Sequence, residues 1–144
     1  MKNGPIAVAS DHAGYEMKDA IKAELEAKGH QVLDLGTDGA ASVDYPDFGA
    51  KMGDAIESGA ANRGILVCGS GIGISIAANR NKAVRAALVQ TGLAARLARQ
   101  HNDANVIALG ARLIGFDTAL DCVDSFLNTE FEGGRHQRRV DKMS

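Results

Sequence analysis

Ile65-Leu66-Val67-Cys68-Gly69-Ser70-Gly71-Ile72-Gly73 is the stretch that decides the fold. It opens with a short apolar run that lacks the polar alternation of a half-exposed strand, stops at a glycine-rich loop, and resumes as a short helix candidate from Ile74 to Arg80. A strand buried on both faces, followed at once by a helix, is the repeating unit of a parallel sheet covered on both sides. The same alternation recurs in both directions. Upstream, Ile6-Ala7-Val8-Ala9 reads as a strand, and Met17, Ala20, Ile21 and Leu25 follow at helical spacing until Gly29. Val32-Leu33-Asp34-Leu35 is a second strand, and Pro46, suited to a helix's first turn, opens a segment running to about Gly59. Downstream, Val84 to Val89 is a fourth strand, and Leu93 and Leu97 carry a helix to about His101. Val106 to Leu109 is a fifth strand, and Leu120, Val123, Phe126 and Leu127 mark a further helix before Gly133-Gly134. The expectation is an α/β chain: a single-domain, Rossmann-like three-layer αβα sandwich with a five-stranded parallel sheet.

Composition agrees with one domain over residues 1–144, since 15.0 kDa with 45% hydrophobic and 24% charged residues is ordinary for a globular chain. Sixteen basic against eighteen acidic side chains give a net charge of −2, too balanced to hold a nucleic-acid backbone by charge alone. The longest charge-free stretch, Gly64 to Asn79, carries four glycines and falls short of the roughly 20 apolar residues that span a bilayer. Met1-Lys2-Asn3-Gly4-Pro5 leads into the first strand without a signal-peptide pattern, so a cytoplasmic location is expected, with neither a nucleic acid nor a membrane as partner. Two cysteines, Cys68 and Cys122, are too few for a disulfide framework and have no neighbours at zinc-ligand spacing.

In such a sheet ligands bind outside the carboxyl ends of the strands, so the residues that end each strand carry the functional signal. Here they are Ser10-Asp11-His12-Ala13-Gly14 after the first, Asp44-Tyr45-Pro46 beyond the second and Cys68-Gly69-Ser70 after the third, with His101-Asn102-Asp103 before the fifth. These segments are expected to converge on one edge. Asp11 also suits a helix cap. A cysteine ending an apolar strand is by default a small buried hydrophobe, but Cys68 precedes a glycine loop that opens a helix, where amides and the helix dipole favour a thiolate. Cys122, at helical spacing among apolar residues, reads as core. The loop Gly69-Ser70-Gly71-Ile72-Gly73 offers backbone amides to a phosphate or an oxyanion. It is not a dinucleotide fingerprint, since it occupies the third βα turn and no acidic residue follows about 20 positions on, and no P-loop Lys is present. The segment Gly133-Gly134-Arg135-His136-Gln137-Arg138-Arg139 concentrates positive charge. As a helix it places Arg135 and Arg139 on one face, a phosphate clamp that Arg112 can join, against the simpler reading of a solvated basic tail.

Together, Ser10-Asp11-His12-Ala13-Gly14, Asp44-Tyr45-Pro46, Cys68-Gly69-Ser70-Gly71-Ile72-Gly73, Arg99-Gln100-His101-Asn102-Asp103 and Gly133-Gly134-Arg135-His136-Gln137-Arg138-Arg139 closely resemble the type B ribose-5-phosphate isomerases. The resemblance covers nearly the whole chain, and the wider family includes galactose-6-phosphate and allose-6-phosphate isomerases. It implies reversible aldose–ketose isomerisation of a sugar phosphate through an enediolate, with no metal or organic cofactor. By this resemblance Cys68 moves the proton between C1 and C2, and the loop of Gly69, Gly71 and Gly73 holds the enediolate oxygen. Ser70 stands near the substrate oxygens, and His101, helped by Asp11, opens the furanose ring. Tyr45 and Asn102 contact the sugar, and His12, Arg112, Arg135 and Arg139 bind phosphate. Some members replace the cysteine with Ser and use a Glu five or six residues later. In this chain those positions are Gly73 and Ile74, followed by Ser75, so no carboxylate stands there and proton transfer is left to Cys68. The resemblance also implies a homodimer or homotetramer with active sites shared between subunits, residues 133–144 packing at the subunit interface.

Ribose 5-phosphate is the favoured substrate, with allose 6-phosphate and galactose 6-phosphate as alternatives, and small residues from Gly36 to Val43 border the sugar. Two readings of other classes compete. A nicotinamide-dependent oxidoreductase would use the glycine loop for NAD. A non-catalytic sugar-phosphate binding module would keep Arg135 and Arg139 but need neither Cys68 nor His101.

Overall fold

Five parallel strands form one sheet in the order β2-β1-β3-β5-β4. In chain order the elements are β1 (Ile6–Ser10), α1 (Tyr15–Ala27), β2 (Val32–Asp34), α2 (Tyr45–Ser58), β3 (Arg63–Cys68), α3 (Ile72–Asn79), β4 (Ala86–Leu88), α4 (Gly92–Asn102), β5 (Val106–Gly110), α5 (Phe116–Leu127) and α6 (Arg135–Met143). This computed structural model describes residues 4–144; the start of the sequence at Met1-Lys2-Asn3 lies outside the described residues. The expected α/β sandwich with its five-stranded parallel sheet is the architecture observed.

Side chains along the buried strands alternate between two cores. Ile65 and Val67 of β3 join Ile6, Val8, Ile107 and Leu109 beneath Ile21, Ala95, Val123 and Phe126, which belong to α1, α4 and α5. Leu66 and Cys68 face the other way, with Ala7, Ala9, Val106 and Ala108, against Phe48, Met52, Ile74 and Ala78 of α2 and α3. The two-residue period of a strand thus supplies both outer layers from one continuous apolar run. Close packing also sets residue size, because a Cβ at Gly49 would meet the Ala77 side chain where α2 crosses α3.

Local signals explain most of the boundaries. Pro46 stands in the first turn of α2, and Gly59 ends the helix in a left-handed conformation (φ 80°). Thr91 caps α4, its hydroxyl oxygen accepting the Ala94 N–H at 3.1 Å. The fourth strand is shorter than its apolar run because the flanking backbone is bonded elsewhere. Val84 N–H turns back to the Asn81 carbonyl, and the Asn105 side chain accepts from Arg85 N–H and donates to the Ala83 carbonyl. Helix α3 begins at Ile72, two residues before the apolar spacing suggests, with Ser70 Oγ accepting the Ile72 N–H at 3.2 Å. Among the described residues no helix is long and apolar enough to cross a membrane.

The chain reverses its direction of travel across the sheet between β1 and β3. β1 is followed by β2 on one side, and β3 then pairs with β1 on the other. The crevice outside the carboxyl ends of these two strands is the topological switch point, where an open α/β sheet binds ligands. Asp11 follows β1, and Cys68 ends β3.

Candidate active site

A cleft of about 530 Å³ opens at this switch point, lined by Asp11, Tyr45, Cys68, Ser70, Gly73 and Arg112 among others. Its size is that of a small-molecule site. Cys68 lies at its floor, 4% exposed, and its sulfur accepts the Gly71 N–H at 3.1 Å. Gly71 does this from a left-handed backbone (φ 78°), which lets the chain curl around the sulfur before α3 begins. A negative charge on the sulfur therefore meets an amide donor and the N-terminal end of a helix together.

Two glycines bring large side chains over this floor. The Tyr45 ring packs so close to Gly73 that a Cβ there would fall 2.5 Å from it, and the Arg112 guanidinium lies over Gly69. The Arg112 N–H donates to the Gly69 carbonyl at 2.9 Å, tying the segment after β5 to the loop after β3. Asp11 lines the cleft, and one of its carboxylate oxygens accepts the Gly14 N–H at 3.0 Å; Gly14, not Asp11, is the cap residue of α1, so Asp11 braces the turn before the helix rather than capping it. His12 Nδ1 accepts the Val43 N–H at 3.1 Å, so the end of the Gly36–Val43 segment is fastened to the β1 turn. By contrast, burial, aided by Asp121, pushes the Cys122 thiol up to about 11, as suits a core position.

The remaining candidates correct the expectation of a single converging edge. His101 and Asn102 end α4, immediately before β5, and a residue that precedes a parallel strand sits at the sheet's amino edge. Cys68 ends β3 at the carboxyl edge. The five steps along the six residues of β3, at about 3.3 Å each, separate the two edges by roughly 17 Å. Arg135 and Arg139 lie with His101, because α6 packs on α4. They do share a helix face, with Arg139 Nη1 donating to the Arg135 carbonyl at 3.1 Å. One chain thus carries two separate clusters of candidate residues, with Asp11, Tyr45, Cys68, Ser70 and Arg112 at one edge and His101, Asn102, Arg135 and Arg139 at the other.

The amino-edge half is held firmly. Buried Arg99 donates to the Asp103 carboxylate at 2.8 Å, the Ala104 carbonyl at 2.8 Å and the Thr129 carbonyl at 3.0 Å. This clasp fixes the end of α4 against the segment leading to α6. Two further side chains, His136 and Glu132, stand beside His101. The His136 ring stacks on His101 with centroids 4.4 Å apart, and His136 Nε2 lies 3.4 Å from a Glu132 carboxylate oxygen. Thirty-five positions separate the two histidines, so no local spacing signals the pair.

Known proteins resemble this chain over nearly its whole length. The family model described as Ribose/Galactose Isomerase matches residues 6–143. Ribose-5-phosphate isomerase B of Escherichia coli is 42% identical over 139 residues, covering 96% of this chain and 93% of that protein. The crystal structure of a ribose 5-phosphate isomerase from Thermotoga maritima superposes with a TM-score of 0.96 at 51% identity, covering 98% of this chain and 97% of that one. Ribose-5-phosphate isomerase B from Mycoplasma genitalium, solved with bound ribulose-5-phosphate, gives a TM-score of 0.93 at 43% identity, covering 99% and 95% of the two chains. With the family model matched over residues 6–143 and the fold reproduced from end to end, the chain belongs to the Ribose/Galactose Isomerase family.

Proposed function

We propose that the chain interconverts ribose 5-phosphate and ribulose 5-phosphate, an aldose–ketose isomerisation through an enediolate with Cys68 as the base. The observation that carries this reading is Cys68 at the floor of the switch-point cleft, its sulfur held by the Gly71 amide and overhung by Tyr45 and Arg112. Family membership and the ribulose-5-phosphate bound to the Mycoplasma genitalium relative support it.

The chemistry needs a base and somewhere for charge to go. The open-chain aldose presents its C2 proton to the Cys68 thiolate. As that C–H bond breaks, its electron pair forms the C1–C2 double bond, and the carbonyl pair moves onto O1. Amides of the Gly69–Gly73 loop receive the oxyanion, since preorganised donors are most effective where charge develops. The Gly71 N–H is among them, released as the sulfur takes up the proton. The thiol then returns its proton to C1 while the O2–H proton leaves and O1 gains one, with the Ser70 hydroxyl placed to relay it. Arg112 and the His12 turn hold the phosphate away from the reacting carbons, so that binding energy there positions C1 and C2 over the sulfur.

Ring opening and the rest of the phosphate clamp come from a second copy of the chain. Leu93 and Leu97 on α4, Ile72 and Ile76 on α3, and Leu113 after β5 are all exposed, an apolar surface that a self-complementary two-fold interface would cover. Helix α4 runs from the carboxyl edge to the amino edge. An antiparallel pairing across this surface brings His101, Asn102, Arg135 and Arg139 of one subunit to the Cys68 cleft of the other. Residues 133–144 then lie at the interface.

The test is ketose formation from ribose 5-phosphate, allose 6-phosphate and galactose 6-phosphate, with Cys68→Ala measured alongside. Turnover of the pentose that falls by about 10²–10⁴-fold in the variant supports the reading, as expected for removal of a general base. Preference for a hexose phosphate would keep the mechanism and change the substrate. Full-strength sugar-phosphate binding with no turnover of any of the three would make the chain a binding module.

A further inference from the structure

His101, Glu132 and His136 each offer one ligand-type atom, and these atoms all lie within 4.8 Å of one another. We infer that this triad is a site for a zinc-type divalent ion whose occupation withdraws His101 from ring opening; the regulatory part of this inference rests on the role proposed for His101 above.

The donor set is the first argument. Two imidazoles and a carboxylate are ligands that Zn²⁺ accepts in sites of three protein groups plus water. The 3.4 Å between His136 Nε2 and the Glu132 carboxylate already matches the edge of a tetrahedron, which is roughly 3.4 Å for bonds of 2.0–2.1 Å. His101 has further to move. Its ring lies stacked on that of His136 with 18° between the planes, and ligation opens the stack so that both in-plane lone pairs meet the ion.

The scaffold is the second argument. Glu132 N–H donates to the Gln100 carbonyl at 3.1 Å, pinning the Glu132 backbone beside the end of α4. His136 N–H donates to the Gly133 carbonyl at 3.0 Å, and Arg99 holds the Thr129 carbonyl, so both ends of the intervening turn are anchored. Only side-chain rotations remain to be made, and the Glu132 side chain, 51% exposed, is free to make them. Rigid support of this kind is what a ligand set needs.

An ion held here ties up the imidazole nitrogen that His101 would use on the sugar, so zinc becomes a reversible inhibitor acting through this cluster. The experiment is equilibrium dialysis of the purified, metal-stripped protein against ZnCl₂ in phosphate-free buffer, with wild type, Glu132→Gln, His136→Ala and Cys68→Ala in parallel. The expected result is one ion per chain. It should weaken by about tenfold or more in Glu132→Gln and His136→Ala, and persist in Cys68→Ala. Glu132→Gln should keep wild-type turnover in the absence of zinc and resist inhibition by it. Binding unchanged in both Glu132→Gln and His136→Ala, binding lost with Cys68, or no stoichiometric binding would overturn the site. Zinc bound at the triad with turnover unimpaired would uphold the site and remove His101 from the proposed mechanism instead.

Discussion

Gly71 donates its amide hydrogen to Cys68 Sγ at 3.1 Å from a backbone at φ 78°, a conformation costly for any residue with a side chain. A Cβ at this position would also meet Leu88 at 2.7 Å and the Leu109 backbone at 2.9 Å. Gly71→Ala is therefore expected to lose about 1–2 kcal/mol of stability from the left-handed backbone alone, and more from the contact with β5. Because the substitution moves the donor that holds the sulfur, turnover should fall by more than about tenfold. Thermal unfolding and kcat on ribose 5-phosphate, measured together, check both. A variant that melts early but turns over normally when folded would separate Gly71 from the chemistry.

The separation of Cys68 and His101 at opposite edges of the sheet makes a second outcome measurable. Cys68→Ala and His101→Ala should each be impaired as pure proteins. If each site draws on two subunits, unfolding and refolding the pair together creates hybrids in which one site has both residues intact. Random assortment into two-fold dimers makes half of the dimers hybrid with one good site of two, restoring about one quarter of wild-type activity. Should the mixture stay as inactive as its components while hybrid dimers are demonstrably present, the sites are not shared.

Tyr45 sits against Gly73, where an added Cβ would lie 2.5 Å from the ring and 2.9 Å from the hydroxyl. The ring is 42% exposed, so it can swing away at little structural cost. Gly73→Ala should leave the melting temperature within a few degrees of wild type and raise KM for the sugar phosphate severalfold. The decisive comparison is with Gly73→Ala/Tyr45→Ala. If the glycine matters only as room for Tyr45, the double variant's KM should match that of Tyr45→Ala alone.

The sequence made the layers legible because each strand is built on a short apolar run and α1, α4 and α5 carry apolar residues at helical spacing, and the ends of the runs carried glycine, proline or Thr91 as punctuation. It made the carboxyl-edge half of the site legible for the same reason, since Asp11, Tyr45, Cys68 and Ser70 all stand close behind strands or open helices. His101 was misplaced at that edge because its neighbourhood in sequence is chemical while its position is set by direction, since residues before a parallel strand fall at the opposite end. The stack of His101 on His136 had no sequence signal, because it depends on how α6 folds back on α4 through the Gly133-Gly134 turn. Nor did the buried Lys18 announce itself, lying as it does on a helix whose apolar face is carried by Ile21 and Leu25.

That lysine gives the last prediction. Lys18, 1% exposed, lies 2.8 Å from Asp34 and donates to the Thr37 carbonyl at 2.7 Å. Asp34 also accepts from Lys22 at 3.3 Å and from the Gly36 N–H at 2.9 Å. Partial burial works to raise the carboxyl of Asp34, but hydrogen bonds from Lys18, the Gly36 amide and Lys22 outweigh it and hold the group below its ordinary range. A carboxyl depressed on folding contributes stability that is complete above its unfolded value near pH 4 and is lost as pH falls through the folded value. Asp34→Asn removes the near anion of buried Lys18, leaving only the Asp19 carboxylate at 3.9 Å, and should cost about 3 kcal/mol at pH 7. Below about pH 4 the unfolded chain takes up the Asp34 proton first and the folded carboxyl follows only at lower pH, so the gap between the two proteins should narrow progressively as the pH is lowered. Urea unfolding of both proteins from pH 7 down to pH 3 measures that gap directly. A constant difference across the range would mean that Asp34 acts through its shape rather than its charge. A closing one shows that the Asp34 charge, paired with Lys18, is what braces the end of β2.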